Sequence, residues 1–356
     1  MILVLADDMT GALEVGAVFA ASGLRTAVVT DPLEAGLPPD VLIVDTETRH
    51  SSPSAAYGRI VHIVGAAAIR PEFIYKKTDS TLRGNIASEL AALANLFPEW
   101  TIGYAPAYPA QGRTVRDGIV YVDGVPVSAT GFAQDALNPV VTSSVRSLIG
   151  PDVPCTVFDG SNDSDVERAA HTILADTAMR IAAGPAALAA ALAHLKRPNA
   201  DPAVLPYVKS CILMNGSRTG QSQSQVLHAG RHQCFARDEG TPWFLLEPQT
   251  VPGQEPANVA AARAEQVLDR LRRHPADSVL IIGGDTAYAF VAALGSPPVA
   301  SLAEVVPGVA LSRINNSDLR RRLPEFDRDL FLITKAGGFG HVDVLCRIRQ
   351  ILEQDA

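Results

Sequence analysis

Basic clusters and long apolar runs are both missing from this chain of 356 residues. Its 30 Lys and Arg residues are outnumbered by 38 Asp and Glu residues, which gives a net charge of −8, and they form no basic stretch of the kind that binds nucleic acid. No apolar run approaches the roughly 20 residues that a membrane-spanning helix requires. These absences argue against nucleic acid or a membrane as the partner and favour a small molecule.

Cysteine is also scarce, and its spacing matches no metal site or redox motif. The four cysteines are Cys155, Cys211, Cys234 and Cys346. With neither C-x-x-C nor a Cys/His spacing among them, they are predicted to be reduced and mostly buried, which is typical of a cytoplasmic protein. The apolar start of the chain runs into Asp7-Asp8 without a basic lead-in, so it is not expected to be a signal peptide.

The order of apolar segments predicts an α/β protein with two α/β domains and largely parallel sheets. A hydrophobic content of 47% over this length is enough for two cores. Continuously apolar strands alternate with helices, as in parallel sheets that are covered on both faces. The proline-rich stretch 196–206 is the predicted boundary between domain 1–206 and domain 207–356.

Individual elements follow from the same pattern. In the first domain, strands are predicted at 1–6, 26–30, 41–45, 72–77, 102–105, 155–158 and 179–182, and helices at 10–22, 54–68, 85–97, 163–176 and 185–194. In the second, strands are predicted at 210–214, 278–282 and 330–334, helices at 221–228, 257–273, 286–294 and from about 342, and a proline-containing loop at 247–256. Residues 112–139 interrupt the alternation with Asp-Gly turns and predict a hairpin excursion, either a lid over the cleft or an edge decoration.

The densest group of polar side chains follows the predicted strand 72–77. The run from Lys77 to Asn85 reads K-T-D-S-T-L-R-G-N. The carboxyl ends of parallel strands are where open α/β sheets bind ligands. Arg83 offers a planar fork for a carboxylate, Gly84 permits close approach of the backbone, and Asp79 is a candidate proton acceptor. The alternative is a solvated loop with a salt bridge between Lys77 and Asp79.

Two further strand ends carry charged residues. Asp7 and Asp8 follow the first strand, where a carboxylate either caps the next helix or orients a hydroxyl, accepts its proton or holds a metal. Arg113 is the one charged residue of the loop 105–114. It is either a second anchor for an anion or a structural arginine.

Three glycine turns follow predicted strands of the second domain. They are Asn215–Thr219, Gly283–Thr286 and Lys335–Gly340. Free backbone N–H groups at helix N-termini bind phosphates, so the three turns together favour nucleotide binding, although each by itself is more often a tight turn. Neither G-x-x-x-x-G-K-[ST] nor G-x-G-x-x-G occurs, which argues against a P-loop protein and an ordinary dinucleotide binder.

Taken in order, these motifs resemble those of the four-carbon acid sugar kinase family, which includes threonate, erythronate and 3-oxo-tetronate kinases. The resemblance rests on residues 5–12, 77–85, 106–124, 283–286 and 335–340 and spans nearly the whole chain. It implies an amino-terminal domain that binds a sugar acid, a carboxyl-terminal domain that binds ATP, and transfer of a phosphoryl group to a substrate hydroxyl in the cleft between them. Leu13-Glu14-Val15 departs from the more polar sequence that usually follows the first motif, and the linkers around 140–210 and 228–260 are shorter than usual.

The resemblance also implies roles for individual residues. Asp8, or less favourably Asp79, is expected to accept the hydroxyl proton as the catalytic residue. The predicted substrate-binding residues are Asp7, Lys77, Ser80, Arg83, Gly112 and Arg113. The predicted nucleotide-binding residues are Ser217, Gly283, Gly284, Asp285, Thr286, Lys335, Gly337 and Gly338. ATP and Mg²⁺ are the expected cofactors, with Asp285 facing Mg²⁺ directly or through water, and no dedicated protein metal site is assigned.

Two other functions stay open at this point. One is a protein that binds a nucleotide or a sugar acid without turnover, and the other, less favoured, is an oxidoreductase that acts on similar acids. The sequence leaves open which acid is bound, which hydroxyl is attacked and whether the protein forms a homodimer.

Overall fold

A computed structural model describes residues 1–32, 39–66, 70–199, 201, 203–238, 240–247 and 256–354. The strands are β1 (Ile2–Ala6), β2 (Thr26–Val29), β3 (Val41–Asp45), β4 (Phe73–Lys77), β5 (Ile102–Tyr104), β6 (Arg113–Arg116), β7 (Ile119–Val122), β8 (Val125–Pro126), β9 (Cys155–Val157), β10 (Ile181–Gly184), β11 (Cys211–Asn215), β12 (Trp243–Leu246), β13 (Ser278–Ile282), β14 (Ala300–Val306), β15 (Val309–Ile314) and β16 (Leu330–Lys335). The α-helices are α1 (Met9–Ala21), α2 (Pro53–Ala66), α3 (Ile86–Leu96), α4 (Val145–Ile149), α5 (Asp163–Ala175), α6 (Ala186–Lys196), α7 (Gly220–Arg231), α8 (Pro256–Arg273), α9 (Gly284–Ala293), α10 (Asn316–Leu319) and α11 (Val344–Leu352). Within these ranges no helix has the length and apolar content needed to cross a bilayer.

The first half of the chain forms a seven-stranded parallel sheet. Its order is β2-β3-β1-β4-β10-β5-β9, and every pair in it is parallel. Strands β1, β3, β4 and β10 are buried along their whole length, which explains why their sequences are mainly apolar apart from Lys76 and Lys77 at the end of β4. Helix α2 packs with α3, and α6 packs with both α1 and α5.

The second half forms a mixed six-stranded sheet. Its order is β12-β11-β13-β16-β15-β14. β12, β11, β13 and β16 pair in parallel, and β15 pairs antiparallel with both β16 and β14. The predicted α/β class with two α/β units and largely parallel sheets is therefore confirmed. A small antiparallel sheet of β6, β7 and β8 corresponds to the predicted hairpin excursion within 112–139.

Strands β12, β14 and β15 were not predicted. Strand β14 alternates half-buried and buried residues, so it lacks the continuous apolar run that marked the other strands. Strand β15 follows at once, after a turn at Pro307-Gly308 in which Gly308 has φ 78°. Most of the predicted loop 247–256, the last two residues of the predicted helix 54–68, and Ala200 and Pro202 of the predicted boundary lie outside the described residues.

The two sheets meet along one seam. Val28 of β2 and Val299, next to β14, exchange backbone hydrogen bonds of 2.8 and 2.9 Å in an antiparallel bridge. Helix α1 packs on β14 so closely that a Cβ at Gly16 would collide with the Ser301 hydroxyl. The seam joins the first half of the molecule to the antiparallel edge of the second.

The cysteine prediction was wrong for one pair. Cys155 and Cys211 are free and buried, as expected. Cys234 and Cys346 are joined by a disulfide whose Cα atoms lie 5.2 Å apart. These two cysteines are 112 positions apart, and only the packing of the segment after α7 against α11 brings them together. Because two of the cysteines form a disulfide, cysteine usage no longer supports the prediction of a reducing, cytoplasmic compartment.

Candidate active site

The carboxyl ends of β1 and β4 bring two predicted acidic motifs side by side. The strands are neighbours in the sheet, with Ala6 opposite Lys77. Asp7 and Asp8 therefore leave the sheet beside the segment 78–84. Both segments continue from fully buried strands, which fixes the starting direction of each backbone.

Arg49 holds both aspartates of the first motif. Its Nε and Nη2 donate to Asp7 at 2.8 Å each, and its Nη1 donates to Asp8 Oδ2 at 2.6 Å. Asp7 is almost fully buried, whereas Asp8 lines a cleft and also caps α1 by accepting from the Gly11 N–H at 2.9 Å. Burial alone would raise the pKa of Asp7, but the charges of Arg49 and Lys76 outweigh it and lower that pKa. Asp7 thus orients Arg49, and Asp8 is the aspartate that a ligand can reach.

Asp79 and Arg83 form a second ion pair just after β4. Arg83 Nε and Nη2 donate to Asp79 at 3.0 and 2.9 Å, and the Thr81 hydroxyl donates to the same carboxylate. Burial would raise the pKa of Asp79, but the charges of Arg83 and Arg49 shift that pKa well below its usual range. A carboxylate of such low pKa is a weak proton acceptor near neutral pH.

Two guanidinium groups reach the cleft from different elements. Arg83 lies over the Phe132 ring, 5.3 Å from its centroid, and its Nη1 donates to Asp135 at 3.3 Å. Arg113, the first residue of β6, lies over the Phe339 ring at 5.4 Å. Among the described residues the Arg113 Nε has no hydrogen-bond partner, and burial lowers the pKa of this arginine. This side of the cleft, the cationic wall, is lined by four cationic side chains and three carboxylates.

Lys77, Glu14 and Tyr108 form a buried polar group next to these arginines. Lys77 Nζ lies 3.6 Å from Glu14 Oε2, and the Tyr108 hydroxyl donates to Glu14 Oε1 at 3.3 Å. Burial raises the pKa of Glu14 by more than the charge of Lys77 lowers it. Leu13 and Val15 belong to the core, so Glu14 is the residue of the divergent Leu13-Glu14-Val15 segment that changes the cleft lining.

The backbone of the glycine turns forms the opposite wall. A Cβ at Gly337 would collide with the Ser217 hydroxyl, and a Cβ at Gly216 with that of Thr286. Gly283, with φ 114°, immediately precedes α9, whose first N–H groups have no partner within the helix. The turns therefore require glycine. The Gly216 and Gly283 N–H groups donate to the Ile282 and Lys335 carbonyls at 2.9 and 3.0 Å, so the first N–H groups of α9 are the donors left for a ligand.

Both walls belong to one cleft of about 240 Å³. Its first side is formed by Asp8, Thr10, Gly11, Glu14, Arg49, Lys77, Asp79, Ser80, Thr81, Arg83, Tyr108, Arg113, Phe132 and Pro185, and its second by Ser217, Thr219, Gly284, Ala336, Gly337, Gly338 and Phe339. A neighbouring cavity of about 380 Å³ shares Ser217 and Gly284 with it. That cavity is also lined by Ala136, Leu137, Gly216, Arg218, Val259, Ala260, Arg263, Gly283, Asp285 and Thr286.

Comparison with known proteins identifies the family of this chain. Residues 2–154 match the model of a sugar-binding N-terminal domain, and residues 245–345 match that of a nucleotide-binding C-terminal domain. A D-threonate kinase of Bordetella bronchiseptica is 30% identical over 402 residues, which cover 99% of this chain and 97% of that protein. The chain belongs to the four-carbon acid sugar kinase family. A 3-oxo-tetronate kinase of Pseudomonas fluorescens is 25% identical over 421 residues, covering 95% of this chain and 94% of that protein.

Solved structures agree with the fold of the family. A Haemophilus influenzae protein from a family of unknown function has a TM-score of 0.70 at 18% identity, covering 99% of this chain and all (100%) of that one. A Bordetella bronchiseptica protein, described as a domain-swapped dimer with bound citrate, has a TM-score of 0.51 at 26% identity, with 99% and 98% coverage.

The residues that the family motifs predicted fall in three places. The cleft holds Asp8, Lys77, Asp79, Ser80, Arg83, Arg113, Ser217, Gly284, Gly337 and Gly338, and the neighbouring cavity adds Gly283, Asp285 and Thr286. Asp7, Gly112 and Lys335 line neither. Gly112, with φ 72°, shapes a turn against Asp123, and Lys335 is buried and donates to the Ala336 carbonyl at 2.7 Å. Burial lowers the pKa of Lys335 to about 8.

Sequence reasoning missed Arg49, Glu14 and Arg263. Arg49 follows the carboxyl end of β3, the neighbour of β1, so the strand-end rule that singled out Asp7 and Asp8 applies to it as well. Arg263 lies on α8 and donates to the Gly216 carbonyl at 2.6 Å, and its Nε has no hydrogen-bond partner in the described ranges. No motif marked Arg263, because helix packing alone brings it to the second cavity.

Two more acidic residues lie at the end of β3. Asp45 Oδ1 accepts from the Glu47 N–H at 3.1 Å, and Glu47 takes a left-handed conformation with φ 48°. Burial, together with the charges of Asp8 and Asp285, raises the pKa of Glu47 to about 7. In the part of the chain that the structure describes, no group of three or more His, Cys, Asp or Glu side chains is arranged to hold a metal ion.

Proposed function

We propose that this protein transfers the terminal phosphoryl group of ATP to a hydroxyl of a four-carbon sugar acid. The observation that carries the proposal is the single cleft with two unlike walls, one cationic and one made of glycine backbone. A small organic anion suits the first wall and a polyphosphate suits the second. The relatives named D-threonate, D-erythronate and 3-oxo-tetronate kinases supply the substrate class.

The cationic wall is proposed to bind the carboxylate of the acid. Asp79 and Asp135 occupy the Nε–H and one N–H on each terminal nitrogen of Arg83. Since a guanidinium has five N–H groups, two remain for a ligand. Arg113 and Lys77 add positive charge on the same side. Such fixed cations also favour the charge that develops on a transferring phosphoryl group.

Asp8 is proposed as the proton acceptor in preference to Asp79. Asp79 is committed to Arg83 and Thr81, and its pKa lies well below its usual range. Asp8 faces the glycine wall, since a Cβ at Gly284 would lie 3.0 Å from its Oδ2. We infer that the acceptor hydroxyl and the donor phosphate meet beside this carboxylate. The salt bridge to Arg49 keeps the carboxylate pointed at this place.

The glycine wall is proposed to bind the ATP phosphates through backbone N–H groups and the N-terminus of α9. The close approaches of Gly216 to Thr286 and of Gly337 to Ser217 pack the three turns against one another, which keeps them together on this side of the cleft. Asp285, in the first turn of α9, is a hard oxygen ligand, which suits Mg²⁺ held by one or two carboxylates together with phosphates. Bound Mg²⁺ would neutralise phosphate charge.

We also propose the division of the chain into a sugar-acid domain, 1–206, and a nucleotide domain, 207–356. Along the chain, β10 is the last strand of the parallel sheet and β11 is the first strand of the second sheet, and the boundary lies between them. We further propose a cytoplasmic location and a homodimer, the latter because a relative is described as a domain-swapped dimer.

The test is an assay of ADP release coupled to a spectrophotometric readout, with Mg-ATP and a panel of threonate, erythronate and 3-oxo-tetronate stereoisomers. We expect ADP release with at least one acid and none without acid. The rival, a binding protein without turnover, predicts heat of binding in calorimetry but no ADP with any acid. A nicotinamide absorbance change with these acids would instead support the oxidoreductase.

A further inference from the structure

One short segment contacts both the cationic wall and the second cavity. Asp135 Oδ2 accepts from Arg83 Nη1 at 3.3 Å, while its Oδ1 accepts from the backbone N–H groups of Leu137 and Asn138 at 3.0 and 2.9 Å. One carboxylate thus fixes the turn 135–138 and joins it to Arg83. A shift of this turn therefore changes the surroundings of Arg83.

The same segment reaches the nucleotide side. Asn138 Nδ2 lies 2.6 Å from His50 Nδ1, and His50 Nε2 lies 3.8 Å from Asp285 Oδ1 in the first turn of α9. Ala136 and Leu137 line the second cavity together with α8 and the glycine turns. Residues that follow the small β6–β8 sheet therefore complete a cavity built mainly by the other half of the chain.

Leu137 is unusual because it is a large apolar side chain left 59% exposed at this cavity. Val259 and Ala260 of α8 line the same cavity and are buried. Apolar surfaces from two elements around a space of about 380 Å³ suit a flat apolar ligand group such as a nucleobase. Covering exposed apolar area of this kind with a ligand is favourable, because it removes that area from water.

We propose, on the basis of the proposed function, that the segment Asp135–Asn138 couples the two ligands, with Leu137 contacting the nucleoside and Asp135 holding Arg83 for the sugar acid. A nucleotide that packs on Leu137 immobilises the turn, and Asp135 of that turn then holds Nη1 of Arg83, the terminal nitrogen that Asp79 leaves free. The acid then binds to an arginine that is already ordered. The loss of conformational freedom is shared by both ligands, so their binding is positively cooperative and the coupling is reciprocal.

The experiment is isothermal titration calorimetry on the full chain. The affinity for a non-hydrolysable ATP analogue with Mg²⁺ is measured with and without the acid that gives the highest turnover in the panel, and the acid is titrated with and without the analogue. The variants are Leu137→Ala and Asp135→Asn, of which the second keeps an oxygen for the backbone N–H groups of 137 and 138. The matched controls are Val141→Ala, which removes apolar atoms from a side chain 84% exposed, and Asp152→Asn at an exposed aspartate.

In the wild-type protein each ligand should increase the affinity for the other by about fivefold or more. Leu137→Ala should weaken binding of the analogue by about five- to thirtyfold. The coupling factor, which is the ratio of the acid dissociation constants without and with the analogue, should fall to near one, while the affinity for the acid without nucleotide stays unchanged. Asp135→Asn should also remove the coupling but weaken the acid more than the analogue. Both control variants should behave as wild type, and circular dichroism should show all variants folded.

Two failures are distinguishable. A wild-type enzyme that turns over and binds both ligands independently, or a Leu137→Ala variant with unchanged affinity and coupling, overturns the coupling proposal and leaves the kinase proposal intact. A wild-type protein that binds no nucleotide and releases no ADP overturns both.

Discussion

Asp8 and Gly284 face each other across the cleft, and a Cβ built on Gly284 would lie 3.0 Å from Asp8 Oδ2 and 3.2 Å from Thr10 Oγ1. Asp8 follows the first strand of the parallel sheet, and Gly284 opens α9 beyond the second sheet. This close approach therefore sets the distance between the proposed proton acceptor, Asp8, and the proposed phosphate wall.

Gly284→Ala should impair turnover more than it impairs folding. The added methyl group intrudes between the walls, and a displacement of about 1 Å in a reacting group can lower the rate by about 10²-fold. Steady-state kinetics should show a lower kcat, with little change in the unfolding midpoint. Gly58→Ala is the control, because its Cβ would meet nothing within 4 Å on α2 and should leave kcat unchanged.

Asp8→Asn should lower kcat by about 10²- to 10⁴-fold, since the amide cannot accept the hydroxyl proton. Asparagine caps helices as well as aspartate does, so the bond to the Gly11 N–H and the fold should persist. Affinity for the ATP analogue should change little in calorimetry. An Asp8→Asn enzyme with near-normal kcat would exclude Asp8 as the base.

Arg49→Ala should destabilise the fold by about 3–5 kcal/mol, because it leaves the buried Asp7 carboxylate without its direct ion-pair partner. Urea denaturation followed by circular dichroism measures this loss. Arg25→Ala is the matched control, since the Arg25–Asp40 pair is largely exposed and its removal should shift the midpoint far less. Equal shifts for the two variants would contradict the role of Arg49 in holding the aspartates.

Glu47 should make stability decrease as pH rises. Its pKa is raised from 4.5 to about 7 by burial and by Asp8 and Asp285. Between these values the folded state keeps a proton that the unfolded state has lost, so the free energy of unfolding falls across this window and is level above about pH 7. Glu47→Gln should remove roughly 2 kcal/mol of this decline, as seen in urea titrations at pH 5 and pH 8. Parallel pH profiles for the two proteins would refute the raised pKa.

Reduction of the Cys234–Cys346 disulfide should destabilise the second half of the chain. It closes a loop across a sequence separation of 112, and disulfides of this kind contribute about 2–5 kcal/mol. Thermal unfolding with and without dithiothreitol tests this, with Cys234→Ser as the genetic equivalent. The Cys155→Ser variant keeps the disulfide and should remain sensitive to the reductant, which separates the bonded pair from the free thiols.

The parts of the fold that could be predicted from sequence are those that local pattern determines. Strands β1, β3 and β13 are buried on both faces, so their apolar runs are nearly continuous and easily recognised. Strands β14 and β15 were missed because β14 is half-buried and alternates, and because the hairpin packs on α1 from the other half of the chain.

The candidate site shows the same limit. Asp8, Arg83 and Gly284 lie in recognisable motifs, and the structure places all three in one cleft. Arg49 and Arg263 lie in no motif, because their partners are supplied by neighbouring strands and by a helix far along the chain. The Cys234–Cys346 disulfide was missed for a related reason, since proximity in space leaves no trace in spacing along the sequence.

The bridge between Val28 and Val299 has a consequence for any attempt to divide the molecule. β2 and β14 are the outermost strands of their sheets, and at this bridge each half supplies hydrogen-bond partners that the other would otherwise lack. Separating the halves would expose these strand edges to solvent, and exposed strand edges pair with strands of other molecules. The seam thus protects each half from self-association, and isolated fragments of this chain should be handled as aggregation-prone material.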